Sequence, residues 1–142
     1  MSSADSVGQN TQDSFGSFRL AKVGPFTMNS SVLQTIPILG GGMTPNSGGY
    51  VVRRVTITNQ TSQNTALGNI TICTTSDGNL LNAVTSNTLV SSLTGLNTYQ
   101  DFTITSTANT TIQTASALFA NITTAVANSN VIVSVYGDVI SF

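Results

Sequence analysis

Short runs in which apolar and polar residues alternate recur along most of this chain, and they constrain its fold more than any other feature. The clearest runs are Tyr50–Thr58, Tyr99–Thr105 and Asn130–Phe142, and turn residues separate such runs along the chain. Because side chains alternate between two faces along a strand, each run predicts a strand with one buried face. The set predicts seven or eight strands and no helix, which indicates an all-β, single-domain β-sandwich of jelly-roll type.

The amino-acid composition favours the same fold class. Ser, Thr and Asn contribute 55 of the 142 residues, whereas the charged residues number nine. Ser, Thr and Asn side chains compete for backbone hydrogen bonds, and the helix-forming surface residues Glu and Lys are almost absent. Thr, Val and Ile favour strands instead. Hydroxyl and amide groups, rather than charged groups, must therefore bind water over most of the surface.

Changes in pattern divide the chain into an arm and one domain. Residues 1–14 are polar and aperiodic, which predicts a flexible, extended N-terminal arm, and residues 15–142 form the predicted sandwich domain. Pro37 makes the run Val32–Leu39 an edge strand or marks the end of a strand, and the glycine-rich segment 40–49 is a long loop. We expect the arm and the loop to reach neighbouring subunits. The partner-contact residues predicted in these segments are Asp5, Gln9 and Gly41, together with Phe15 at the start of the domain.

Two strands carry specific expectations about their faces. In Tyr50–Thr58 the alternation predicts an inner face of Val51, Arg53, Val55 and Ile57 and an outer face of Val52, Arg54, Thr56 and Thr58. In the first alternating run of the chain, residues 18–23, Phe18, Leu20 and Lys22 share one face. In the final run Val131, Val133 and Val135 share one face. Ile132, Tyr136, Ile140 and Phe142 lie on the other unless a bulge at Gly137 changes the register, and two apolar faces predict burial on both sides.

The pair Arg53-Arg54 has two interpretations. Both arginines are candidate partner-contact residues, binding a carboxylate or another anion at a subunit boundary through the guanidinium fork. The alternative, which we favour at this point, is one ion pair within the chain, with Asp101 or Asp138, and one solvated arginine.

The missing residue types exclude several classes of function. The chain has no His, no Glu and a single Cys, which removes the Ser-His-Asp triad, the Cys-His pair, His-based zinc sites and Glu-based glycosidases. We therefore expect no enzymatic activity, no cofactor and no metal. A net charge of −1 with four cations argues against nucleic acid. The N-terminal residues lack the features of a signal peptide, and no apolar run reaches the ~20 residues of a membrane span, so we expect no membrane association.

Three segments carry a resemblance to a known class of protein. They are Ile36-Pro37-Ile38-Leu39-Gly40-Gly41-Gly42, Tyr50-Val51-Val52-Arg53-Arg54-Val55-Thr56-Ile57 and Val131-Ile132-Val133-Ser134-Val135-Tyr136-Gly137-Asp138. With the polar arm, this order resembles small β-sandwich structural proteins of tailed bacteriophages, above all the decoration or cement proteins of the capsid. The resemblance covers most of residues 15–142, and it rests on composition. It implies a jelly-roll-like fold, synthesis in the host cytoplasm, a place on the capsid surface of the virion, homotrimers that bind the major capsid protein, and no catalytic residues.

Other classes of β-sandwich remain open. A phage fibre or receptor-binding module, or a carbohydrate-binding module, would share the hydroxyl-rich composition. Sugar-binding platforms usually depend on exposed aromatic rings, and this chain has no Trp. A secreted adhesin would also fit the composition but would need an export signal, which we do not find.

Overall fold

The described part of the chain contains eight β-strands and one short 3-10 turn. A computed structural model describes residues 18–28, 33–38, 48–61, 65, 68–77 and 82–141. The strands are β1 (Phe18–Thr27), β2 (Leu33–Pro37), β3 (Gly48–Asn59), β4 (Asn69–Cys73), β5 (Thr88–Leu89), β6 (Tyr99–Phe102), β7 (Ala117–Thr124) and β8 (Asn130–Ser141), and the 3-10 turn is Ala108–Thr110. The all-β prediction is therefore confirmed. The predicted arm, residues 1–14, lies outside the described residues.

The strands form two antiparallel sheets of four, so the predicted β-sandwich is confirmed. The first sheet has the order β1-β8-β3-β6 and the second β2-β7-β4-β5. The pairing is nested along the chain, because β1 pairs with β8, β2 with β7, β3 with β6 and β4 with β5. Strand β2 lies at a sheet edge, as the proline at its end predicts.

The core lies between the two sheets and is built from aliphatic side chains. In β8, Val131, Val133 and Val135 are fully buried, and they face Ile70 and Ile72 of β4 within the same hydrophobic cluster. Complete burial of an aliphatic side chain of this size contributes about 1.5–3 kcal/mol to the free energy of unfolding. These valine and isoleucine side chains therefore supply much of the stability of the sandwich.

Two β-bulges change the faces that simple alternation predicts. The register of β3 against β8 shifts between Val52 and Arg54, and that of β1 against β8 shifts between Arg19 and Ala21. An extra residue in one strand moves all later side chains to the opposite face. In β3, the core therefore receives Tyr50 and Val52 before the bulge and Val55 and Ile57 after it.

The bulges correct two of the predicted faces. Val51 and Arg53 do not share the inner face with Val55, because Val52 occupies it instead. In β1, Leu20 and Ala21 are both buried and Lys22 is exposed, so the prediction that Leu20 and Lys22 share a face is wrong.

Strand β8 is buried on one side only, which corrects the expectation of two buried faces. Its inner valines are fully covered, whereas Ile132, Tyr136 and Ile140 on the opposite side are partly exposed. The strand lies inside the first sheet, between β1 and β3, and the second sheet packs against one face of it. The outer face of this sheet carries no covering layer among the described residues.

Candidate functional site

One row of side chains crosses the outer face of the first sheet. Arg19 of β1 is the register partner of Tyr136 in β8, and Tyr136 is in turn the partner of Arg54 in β3. Side chains at paired positions lie on the same face, so an aromatic ring stands between two arginines. The Arg54 guanidinium carbon lies 5.8 Å from the centre of the Tyr136 ring, within the range of a cation–π contact.

A second row lies beside the first and adds another cation. Lys22 pairs with Ser134, which pairs with Thr56, which pairs with Asp101 of β6. Asp101 accepts hydrogen bonds from Thr56 Oγ1 and, at 3.1 Å, from Nε of Arg54. The hydrogen bond to Asp101, and then the charge of its carboxylate, raise the pKa of the Arg54 guanidinium above its usual value.

We call this surface the cationic face and define it by Arg19, Lys22, Arg54 and Tyr136. It holds three of the four cations in the chain, and one carboxylate, that of Asp101, stands among them. Its local charge is therefore positive, although the net charge of the chain is −1. Arg19 and Lys22 form no ion pair with any described residue.

The outer face of the second sheet is different, because no charged side chain of a described residue lies on it. Thr71 and Thr123 both donate hydroxyl hydrogen bonds to Asn87 Oδ1, at 3.1 and 3.0 Å. Its described outward positions in β2 and β7 are Leu33, Thr35, Pro37, Ala117, Phe119, Asn121 and Thr123. The sandwich therefore has one cationic side and one neutral side built mainly from hydroxyls, amides and apolar groups.

Arg53 occupies the β3 bulge and does not belong to the cationic face. Its Nε donates to Asp138 Oδ2 at 3.1 Å, and another guanidinium nitrogen donates to the backbone oxygen of Asn109 at 3.1 Å. These bonds tie the 3-10 turn to β3 and β8. Both arginines thus form ion pairs within the chain, Arg53 with Asp138 and Arg54 with Asp101, so the expectation of a single ion pair is wrong.

The structure describes two of the six predicted partner-contact residues, Arg53 and Arg54. Arg54 lies on the cationic face with about half of its side chain exposed, and Arg53 lies at its margin. Asp5, Gln9, Phe15 and Gly41 lie outside the described residues.

The alternation of residues did not predict that Arg19, Lys22 and Tyr136 share one surface. Two consecutive apolar residues, Leu20 and Ala21, were the available signal, because adjacent buried positions in a strand indicate a bulge.

No cluster of metal-binding type occurs in the part of the chain that the structure describes. It contains no group of three or more His, Cys, Asp or Glu side chains that could hold a metal ion. Cys73 is buried in β4, and desolvation, together with the charge of Asp77, raises the pKa of its thiol. Among the described residues no helix has the length and hydropathy to cross a bilayer.

Comparison with known proteins gives no relative. No protein-family model, no curated protein and no solved structure matches this chain. The function must therefore be argued from the fold and from the two unlike faces of the sandwich.

Proposed function

We propose that this chain is a non-enzymatic structural protein of a bacteriophage virion, a cement protein that decorates the capsid and stabilises it through contacts between subunits. The nested pairing of eight strands in two sheets supports a jelly roll, an architecture used in viral capsid and lectin domains. Because one fold serves many functions, the proposal depends on the surface as well.

The observation that carries the proposal is the difference between the two faces. A protein that coats a shell needs one side that binds the shell and another that remains hydrated. The cationic face supplies charges, an aromatic ring and the partly exposed Ile132, which suit a protein interface. The neutral face of the second sheet suits the side turned toward solvent.

The proposed partners follow from this arrangement. The major capsid protein would present an acidic surface to the cationic face, and three copies of the chain would assemble as a homotrimer around a threefold position of the capsid. Nucleic acid and membranes have no part in the proposal. A protein that binds only the assembled shell stabilises it by mass action, and many copies add their binding free energies.

Binding to shells stripped of the protein tests the proposal directly. Shells of the phage that encodes the chain are mixed with purified protein, and cosedimentation and the heat resistance of the shell are measured as occupancy rises. The test variant is Arg19→Gln/Lys22→Gln, which removes two positive charges. Its matched control, Thr35→Glu/Thr124→Glu, changes the net charge equally through two exposed residues of the second sheet.

We expect wild-type protein to raise the heat resistance of the shell in proportion to occupancy. The face variant should bind at least about tenfold more weakly and with a reduced dependence on salt, because two interfacial charges are lost. The control variant should bind like wild type. If the wild-type protein fails to bind shells, the cement function is wrong. Equal binding by the two variants would instead show that another surface makes the contact.

A further inference from the structure

A cleft of about 370 Å³ opens beside the 3-10 turn. Thr74 and residues 82–84 form one wall, and the segment that contains the 3-10 turn forms the other. Thr105 joins the walls, because its backbone N–H donates to Val84 O at 2.9 Å and its hydroxyl donates to Ala83 O at 3.2 Å. The volume lies within the usual range of small-molecule sites, about 300–1,000 Å³.

The lining of this cleft is amphipathic and uncharged. Val84 and Ala108 form a buried apolar floor, and the rim carries the polar side chains of Asn82, Thr107 and Gln113. None of the described residues that line it has a charged or aromatic side chain. A charged ligand would find no counter-ion there, so the cleft favours a neutral molecule.

Hydrogen bonding within the walls leaves specific groups available to a ligand. Asn82 donates through Nδ2 to Thr75 Oγ1 at 3.2 Å, which leaves its amide oxygen as an acceptor. The Thr111 hydroxyl donates to Thr107 O at 2.7 Å, so its own oxygen can accept a bond. The side-chain amide of Gln113 makes no hydrogen bond with a described residue and offers both a donor and an acceptor.

The backbone holds Gln113 in a fixed place. Its N–H donates to Tyr50 O at 2.7 Å, and its carbonyl accepts from Tyr50 N at 2.9 Å. Tyr50 is itself anchored, because its hydroxyl donates to Ala115 O at 2.7 Å. The backbone of Gln113 is therefore held in place, so its side-chain amide reaches the cleft from a fixed Cα position.

We propose that this cleft binds a neutral saccharide, with one sugar ring on the floor and its hydroxyl groups on the rim. A sugar ring combines an apolar C–H face with hydroxyls that both donate and accept, which matches the Val84–Ala108 floor and the amide of Gln113. The site lacks an aromatic ring for stacking, so the dissociation constant of one site falls in the millimolar range. Binding at a single site does not depend on the proposed capsid function. If many copies decorate one particle, multivalency raises the apparent affinity by about 10²–10⁴-fold, and this increase does rest on the capsid function.

Titration of the isotope-labelled full chain with single monosaccharides tests the site. Glucose, galactose, mannose and N-acetylglucosamine are added separately while the backbone amide signals are followed by NMR. We expect at least one sugar to shift the signals of residues 82–84 and 105–113 at millimolar concentration. Added NaCl should leave this titration unchanged, because no charge lines the cleft.

Two pairs of variants assign the contact. Gln113→Ala should weaken binding roughly two- to tenfold, which corresponds to one lost hydrogen bond, whereas Gln60→Ala, at an exposed glutamine elsewhere, should have no effect. Thr111→Val should likewise weaken binding, and Thr94→Val at another exposed threonine should not. The same spectra show whether each variant is folded.

Three outcomes would overturn the saccharide site: no shift with any of the four sugars, shifts confined to other parts of the chain, or undiminished binding by both cleft variants. Shell binding by Gln113→Ala is measured in parallel and should equal that of wild type. If the protein binds sugars but not shells, the saccharide site stands and the cement function is wrong. If it binds shells but not sugars, the cement function stands and the saccharide site is wrong.

Discussion

Replacing Gly137 with alanine should destabilise the protein strongly. Gly137 lies in β8 opposite Val52, directly beside the bulge of β3. A Cβ atom built at this position would overlap the backbone oxygen of Val51 and would lie 3.0 Å from Cδ1 of Leu20. The leucine side chain can turn away, but the oxygen belongs to the backbone of the neighbouring strand and can move only if the sheet deforms.

The expected magnitude follows from two opposing terms. Overpacking of a tight site costs about 1–3 kcal/mol, and a contact with backbone belongs at the upper end of that range. Alanine also restricts the unfolded chain, which contributes about 0.4–1 kcal/mol in the other direction. The net loss is about 2 kcal/mol, and for a chain of this length it lowers the melting temperature by about 6–10 °C.

Urea unfolding followed by far-ultraviolet circular dichroism measures this loss. Gly95→Ala is the matched control, because a Cβ at Gly95 has no heavy atom within 4 Å, and it should be neutral or stabilise the protein by less than about 1 kcal/mol. A Gly137→Ala variant within about 0.5 kcal/mol of wild type, the usual range of harmless surface substitutions, would refute the close approach of β3 and β8 at the bulge.

Three further predictions concern ionisable groups. Burial raises the pKa of Tyr50 to about 12, above the value of about 10 in the unfolded chain, so stability should fall as pH rises from about 10 to 12, and Tyr50→Phe should flatten that fall when unfolding is measured across this range. Cys73 is buried with a raised pKa, so a thiol reagent such as Ellman's should react with it much faster in urea than in buffer; rapid labelling of the native protein would contradict its burial. The exposed pair of Arg54 and Asp101 should contribute less than about 1 kcal/mol in a double-mutant cycle with alanine, and a larger coupling energy would show that the pair is shielded from solvent.

The alternation of apolar and polar residues was sufficient to predict the fold class. In β8 the valines at every second position face the core as predicted, because a strand that borders water on one side needs one apolar face. The same reasoning failed at Val52 and Lys22, where one extra residue reverses the faces. A bulge depends on how two strands align, and one strand's sequence does not specify that alignment.

The sequence alone determined that this chain is an all-β protein rich in hydroxyl side chains, with no His and no Glu. The tertiary structure decided where its few charges meet. Arg19 and Tyr136 come from opposite ends of the chain and become neighbours because β1 pairs with β8, which lies beside β3 and its Arg54. Such pairing depends on the simultaneous packing of all eight strands, so long-range contacts create the cationic face that local periodicity does not reveal.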